Sequence, residues 1–224
     1  MRFITLCLLV CGAIPLQAQT PKIRKVNCRF LCLAGATPPE KLISPGENGG
    51  EVSCEVPANS FSPNIDCFAN ENIISFLSSS DHKPVATATI PANVNAAILV
   101  FVPAQKSSDV VLWKVFVIED STPNFPDGGA FVANFYSQDI RFVIGENKTI
   151  LHSGTSYRFS RPAKRDDFNM APVVFEFQQD QTWRTSSESL LRFLPGMRYL
   201  IIAYVDPNSG RPRISTHQDF RVRH

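Results

Sequence analysis

Four groups of residues have side chains that could do chemistry. The first is a set of cysteines, Cys28, Cys32, Cys54 and Cys67. Thiols can bridge, bind a metal or attack an electrophile. Zinc sites usually take Cys or His at close spacing. Here three, twenty-one and twelve residues intervene, and the nearest following His is His82. Metal therefore ranks below structural disulfides, with free buried thiols between them. Cys28 and Cys32 lie in VNCRFLCLAG, which reads as extended chain. Four residues along a strand span about 13 Å, and a disulfide needs Cα atoms within about 7 Å. Cys28 and Cys32 should therefore each pair with Cys54 or Cys67.

The second group is the histidines, His82, His152, His217 and His224. None belongs to an HExxH pair, and no GxSxG elbow marks a nucleophile. Ser80-Asp81-His82-Lys83 resembles a Ser-x-x-Lys motif only in a polar loop of common residues. The third group is carboxylates. Asp166 and Asp167 are adjacent, but Lys164 and Arg165 beside them suggest a solvated loop rather than an acid/base pair. Asp206-x-Asn208-x-Gly210 lacks the distal Glu of a calcium loop and reads as a hairpin turn. No catalytic, metal or cofactor-binding residue is assigned, and the chain leans away from an enzyme. The fourth group is the tryptophans. Trp113, in VVLWKVF, is expected in the core. Trp183, in QTWRT, has polar neighbours and is the candidate ligand contact, where a ring could stack on a sugar.

These residues sit on short runs rich in Val, Ile and Phe, broken by Pro, Gly, Asn and Asp. That is the pattern of strands and turns. GGEVSCEVP alternates, NAAILVFVP should be buried on both faces, and DVVLWKVFVIED is the strongest strand. Glu188–Leu194 (ESLLRFL) is the best helix candidate and is cut by Pro195. About a dozen strands predict an all-β fold, an antiparallel β-sandwich, with a closed β-barrel as the alternative. Residues 19–224 are read as one domain, with a subdomain break conceivable near 121–129.

Residues 1–18, MRFITLCLLVCGAIPLQA, have Arg2, an apolar run and a small residue at Ala18. This is the grammar of a Sec-type signal peptide. Export to the periplasm or extracellular space follows, with no membrane span once the leader is removed. The chain of 224 residues carries a net charge of +2 with mixed signs. That excludes an electrostatic case for nucleic acid. Asn147-Lys148-Thr149 matches a glycosylation sequon, which matters only in a eukaryotic host.

From Phe101 to Phe220 the order of strands and turns has a recognisable shape. Phe125-Pro126-Asp127-Gly128-Gly129 is followed by Asn134, and Pro195-Gly196-Met197-Arg198 precedes an apolar strand. This half of the chain resembles a family of uncharacterised exported proteins of Gram-negative bacteria. The resemblance implies a β-rich fold in the bacterial envelope and no particular activity. It does not cover the third that holds the four cysteines. The motif residues also have structural roles to fill. Gly128 and Gly129 should permit positive φ, Asn134 should bond nearby backbone, and Arg198 should pair with a carboxylate at a sheet edge. The function expected is that of an exported, non-catalytic β-sandwich, a structural or protein-interaction module of the cell envelope. Its partner would be an envelope protein or a glycan. A carbohydrate-binding module is the alternative, and a hydrolase with an unrecognised site is the second alternative.

Overall fold

The structure is a computed structural model that describes residues 23–104, 113–206 and 209–220. The leader assigned to 1–18 and His224 lie outside the described residues. The first half holds β1 (Ile23–Cys32), β2 (Leu42–Pro45), β3 (Glu51–Cys54), β4 (Ile65–Asn70), β5 (Ile73–Ser78), β6 (Pro84–Thr89), β7 (Ala96–Pro103) and β8 (Trp113–Glu119). They form one sheet in the order β3-β2-β5-β4-β1-β7-β8, with β6 paired to β5. The second half holds β9 (Ala130–Asn134), β10 (Ile140–Ile144), β11 (Asn147–Leu151), β12 (Ser156–Phe159), β13 (Met170–Gln179), β14 (Thr182–Arg192), β15 (Met197–Val205) and β16 (Pro212–Phe220). They form two four-stranded sheets, β11-β10-β13-β14 and β12-β9-β15-β16.

The fold is all-β and sandwich-like. No sheet closes into a barrel among the described residues: β6 comes alongside β8 without pairing to it. The sheets are mixed rather than purely antiparallel, because β1 runs parallel to β7 and β9 parallel to β15.

Three apolar layers hold the sheets together. The first sheet curls around Phe30, Phe76 and Phe101, whose rings meet edge to face at 5.2–6.1 Å. The two four-stranded sheets face each other across Phe142, Phe175 and Ile201. Between these cores, Leu31, Ile98 and Val100 of the first sheet meet Phe131, Leu200 and Ile202 of the β12-β9-β15-β16 sheet. This joint explains why NAAILVFVP is apolar throughout. On β7, Leu99 and Phe101 enter the first core while Ile98 and Val100 enter the joint. A strand covered on both faces has no polar positions to spare. The segment 121–129 links β8 to β9 and so runs from the first sheet to the second half.

The expected helix at Glu188–Leu194 is absent. Glu188–Arg192 continues β14, paired with β13 from Met170 to Val174. Leu191 packs toward the core while Leu190 is exposed, a period of two rather than 3.6. Two segments that read as separate, QTWRTSS and SLLRFL, are one eleven-residue strand with a bulge opposite Phe175/Glu176. The QQDQ turn is as expected, with Asp180 and Gln181 both at positive φ, the geometry of a tight hairpin.

Candidate functional site

The most concentrated set of charges lies at the joint between the halves. Arg29 stands on β1, Asp120 follows β8, Arg198 is on β15 and Asp219 on β16. Arg29 donates from Nη1 to Asp219 Oδ1 at 2.7 Å and from Nη2 to Asp120 Oδ2 at 2.7 Å. Arg198 donates from Nε to Asp219 Oδ2 at 2.8 Å and from Nη2 to Asp120 Oδ1 at 2.5 Å. Two guanidinium groups and two carboxylates thus form a closed, neutral ring. The Arg198 side chain is 2% exposed and Asp219 5%. Phe125 caps Arg198, its ring centroid 4.0 Å from the guanidinium carbon, and its carbonyl accepts a further bond from Nη1. Burial opposes charge on Asp219, but the bonds from Arg29 and Arg198 prevail and hold its carboxyl below the ordinary aspartate range. For Arg29 burial likewise opposes charge, and Asp219 and Asp120 raise its basicity.

The segments around Gly128 and Gly196 meet beside this ring. Arg198 pairs with carboxylates near the sheet edge, as expected, and Gly196 N–H donates to Asp127 Oδ1 at 2.8 Å. Gly128 has φ +70°, but Gly129 does not need positive φ. Gly129 is required by space: a Cβ there would lie 2.1 Å from the Phe159 carbonyl oxygen. Asn134 is fully buried and bonds backbone three times, donating to Gln138 and Leu151 carbonyls and accepting from the Tyr136 N–H.

The histidines remain dispersed. His217 is 7% exposed on β16, with Nε2 3.2 Å from Ser215 Oγ, a ring N–H given to the Asn59 carbonyl, and Phe61 edge-on. Burial lowers its basicity. Asp219, two residues further along β16, is committed to Arg29 and Arg198. His152 pairs with Asp139 at 2.9 Å on the surface. His82 lies 3.8 Å from Glu51, also exposed. Asp166 Oδ1 accepts the N–H groups of Phe168 and Met170 and so shapes its own loop. Asp206 Oδ2 accepts from Ser209 and Arg213, which fastens the β15–β16 connection.

Trp113 is half-buried against the first core, edge-on to Phe101. Trp183 is half-buried with the Arg141 guanidinium 4.7 Å from its ring centroid. Arg141 in turn is held by Glu176. Trp183 pairs with Gln178, so it stands with Gln178, Glu176 and Arg141 on the outer face of the β13–β14 hairpin.

No disulfide links Cys28, Cys32, Cys54 and Cys67; all four are buried free thiols. Cys54 Sγ donates to the Val52 carbonyl at 3.6 Å. The neighbouring Cys28 thiol together with burial makes Cys67 a weaker acid than an ordinary thiol, against an opposing effect of Cys54. Cys32 stands apart, its sulfur 4.0 Å from the Ala36 carbonyl, and burial pushes its thiol up to about 11. Among the described residues, no group of three His, Cys, Asp or Glu side chains could hold a metal ion.

A groove of about 960 Å³ opens between β14 and the start of β16. Thr185–Ser187 form one wall, and Arg211–Ile214 the other. Phe177 and Tyr136 contribute aromatic surface, and Gln178 and Gln179 contribute amides. β14 is bonded to β13 along one side and is the last strand of its sheet. The two walls touch where Ser186 Oγ donates to the Pro212 carbonyl at 3.0 Å. Sequence reasoning missed this groove, since its walls are 26 residues apart at that contact and only the sandwich brings them together. The available signal was the unusual polarity of TWRTSSES, which is too polar for a central strand. No protein-family model matches the chain, and no curated protein is detectably similar to it in sequence.

Proposed function

We propose that this is an exported, non-catalytic β-sandwich protein of the cell envelope that binds an extended segment of a partner protein in the groove between β14 and β16. One observation carries this reading. The groove has an open strand edge, Thr185–Ser187, as a wall. Unpaired edge N–H and C=O groups are a template for another strand, and an extended peptide that adds to them gains main-chain bonds while side pockets supply specificity. The lining suits a polar segment: hydroxyls and amides can satisfy its side chains, and Arg211 on the opposite wall favours an acidic residue. Export rests on the leader-like residues 1–18, and the charge ring, whose four members are committed to one another and of which Arg198 and Asp219 are buried, supports a rigid scaffold rather than a catalytic centre. Oxidation of a suitably placed pair of cysteines to a disulfide would follow from export. The glycan alternative rests on Trp183, whose ring lies outside the groove and is already partnered by Arg141.

The test is capture from the organism's own envelope fraction, with residues 19–224 immobilised as wild type, Thr185→Trp, Arg211→Trp or Lys83→Trp. Both groove positions are exposed, so the indoles fill the groove without entering a core. A protein retained by wild type and Lys83→Trp but lost from both groove variants supports the reading. Retention that ignores the groove variants, or enrichment of glycan in place of protein, overturns it.

A further inference from the structure

The four cysteines have unequal surroundings, and strand register separates the pairings open to them. Cys67 lies opposite Val26 on β1, and Cys28 lies opposite Ile65 on β4. Cys28 and Cys67 are therefore diagonal neighbours on adjacent strands. Such pairs stand about 7–8 Å apart, beyond the usual Cα separation for a disulfide of about 4.4–6.8 Å. Cys32 is six residues past the Val26 register position, roughly 20 Å along the strand at about 3.3 Å per residue. It cannot reach Cys67, nor Cys54, whose thiol is made less acidic by the neighbouring Cys67. Cys54 reaches Cys67 differently. It ends β3, which approaches β4 without hydrogen-bonding to it, and both side chains are buried in the first core, where the Cys67 thiol makes Cys54 less acidic and the Cys54 thiol acts on Cys67 in the opposite sense.

We propose that Cys54 and Cys67 form the one disulfide of this core, with the Cys28 thiol packed against it and Cys32 unbridged. This departs from the sequence expectation that Cys28 and Cys32 would each be bridged. Its occurrence in the cell rests on the export reading, because a disulfide donor is then at hand. All four thiols are fully buried in the folded chain, so the bond must form during folding. The Cys67 thiolate attacks the sulfur of a small disulfide such as oxidised glutathione and expels one glutathione thiolate. The Cys54 thiolate then attacks the Cys67 sulfur of the mixed disulfide and expels the second. Two protein thiols are oxidised, one glutathione disulfide is reduced, and the two thiol protons pass through solvent to the released glutathione.

The experiment is oxidative refolding of residues 19–224 with a reduced and oxidised glutathione couple, thiol alkylation, and peptide mapping without reduction. Trypsin does not cut before Pro84 and leaves Cys54 and Cys67 in one peptide, 42–106, so a glutamate-specific protease is added to cut after Glu55. The expected result is a single bridge, Cys54–Cys67, with Cys28 and Cys32 alkylated once the protein is denatured, and the same bridge in Cys28→Ala. A bridge involving Cys28 or Cys32, or a refolded protein with four alkylated thiols, overturns the proposal. Since the oxidant is supplied in the tube, the result is independent of export, which is decided separately by finding the cell-derived chain to begin at Gln19.

Discussion

Replacing Arg198 by Ala should cost this protein about 3–5 kcal/mol, the range for removing one partner from a buried ion pair. The side chain is 2% exposed and gives bonds to Asp219 at 2.8 Å, Asp120 at 2.5 Å and the Phe125 carbonyl at 3.3 Å. Without it, Asp219 keeps Arg29 but loses half its compensation, Asp120 loses its shorter bond, and Phe125 loses the cation on its ring. The joint then carries two carboxylates against one guanidinium. Asp219→Leu alone leaves two guanidinium groups against Asp120 and should cost a similar amount. The double variant Arg198→Met, Asp219→Leu removes one charge of each sign and restores balance with apolar volume. It should therefore cost clearly less than the two single changes added together, by roughly 1–3 kcal/mol of coupling. Urea unfolding is the assay, and the two tryptophans report on the two halves: Trp113 lies against the first core and Trp183 on the β13–β14 hairpin. In the wild type both should report one transition; in Arg198→Ala they should separate, because the joint is what couples the halves. The ring also sets an acid limit. The Asp219 pKa is lowered on folding, so its contribution is complete above the unfolded value near pH 4 and is lost as pH falls through the lower folded value. A loss below about 1 kcal/mol in Arg198→Ala, or strict additivity in the double variant, would refute the ring as the element that fastens the halves.

Three further outcomes are expected. Gly129→Ala should destabilise by at least about 1–3 kcal/mol, since its Cβ would sit 2.1 Å from a backbone oxygen that cannot rotate away; thermal unfolding checks this, and a neutral result would contradict the packing at β9. Glu146 accepts the N–H groups of Ala163 and Lys164, which lower its carboxyl to about 2. Carboxyl NMR should show it still ionised at pH 3, and the anchoring of that loop should fade as pH falls from about 4.5 toward 2. His217 is made less basic by burial, so its imidazole should titrate below 6.5 by NMR. The neutral ring favours the folded state above that pH and the advantage shrinks as pH falls below it; titration above 6.5 would contradict its buried, neutral setting.

Much of the fold was legible because burial writes a local pattern. Val52 and Cys54 alternate on β3, and the unbroken apolar run at β7 announced a strand covered on both faces. β14 was misread for the converse reason. As an edge strand it has little burial to impose alternation, and Leu190-Leu191 beside Glu188 imitates a helical turn. The parallel pairs β1·β7 and β9·β15 were invisible, because each joins segments far apart in the chain. The same holds for the sites. Arg198 could be expected to meet a carboxylate, but nothing in its neighbourhood names Asp120 or Asp219. Spacing led to the expectation that Cys28 and Cys32 would each be bridged, whereas the structure holds all four as free buried thiols, because register and packing rather than separation in the chain decide which thiols come together. The groove has no motif at all, being only the gap between two edges that the sandwich holds apart.

The central claim is that the β14 edge receives a partner's extended chain. Site-specific photo-crosslinking in the native envelope tests it most directly, with a benzophenone side chain placed at Thr185 or Arg211 in the groove and at Lys83 on the first sheet's exposed turn. One partner protein should be crosslinked from both groove positions and not from Lys83, with the sites of attachment falling within one short segment of that partner. Equal crosslinking from Lys83, or none from either groove position, would contradict it.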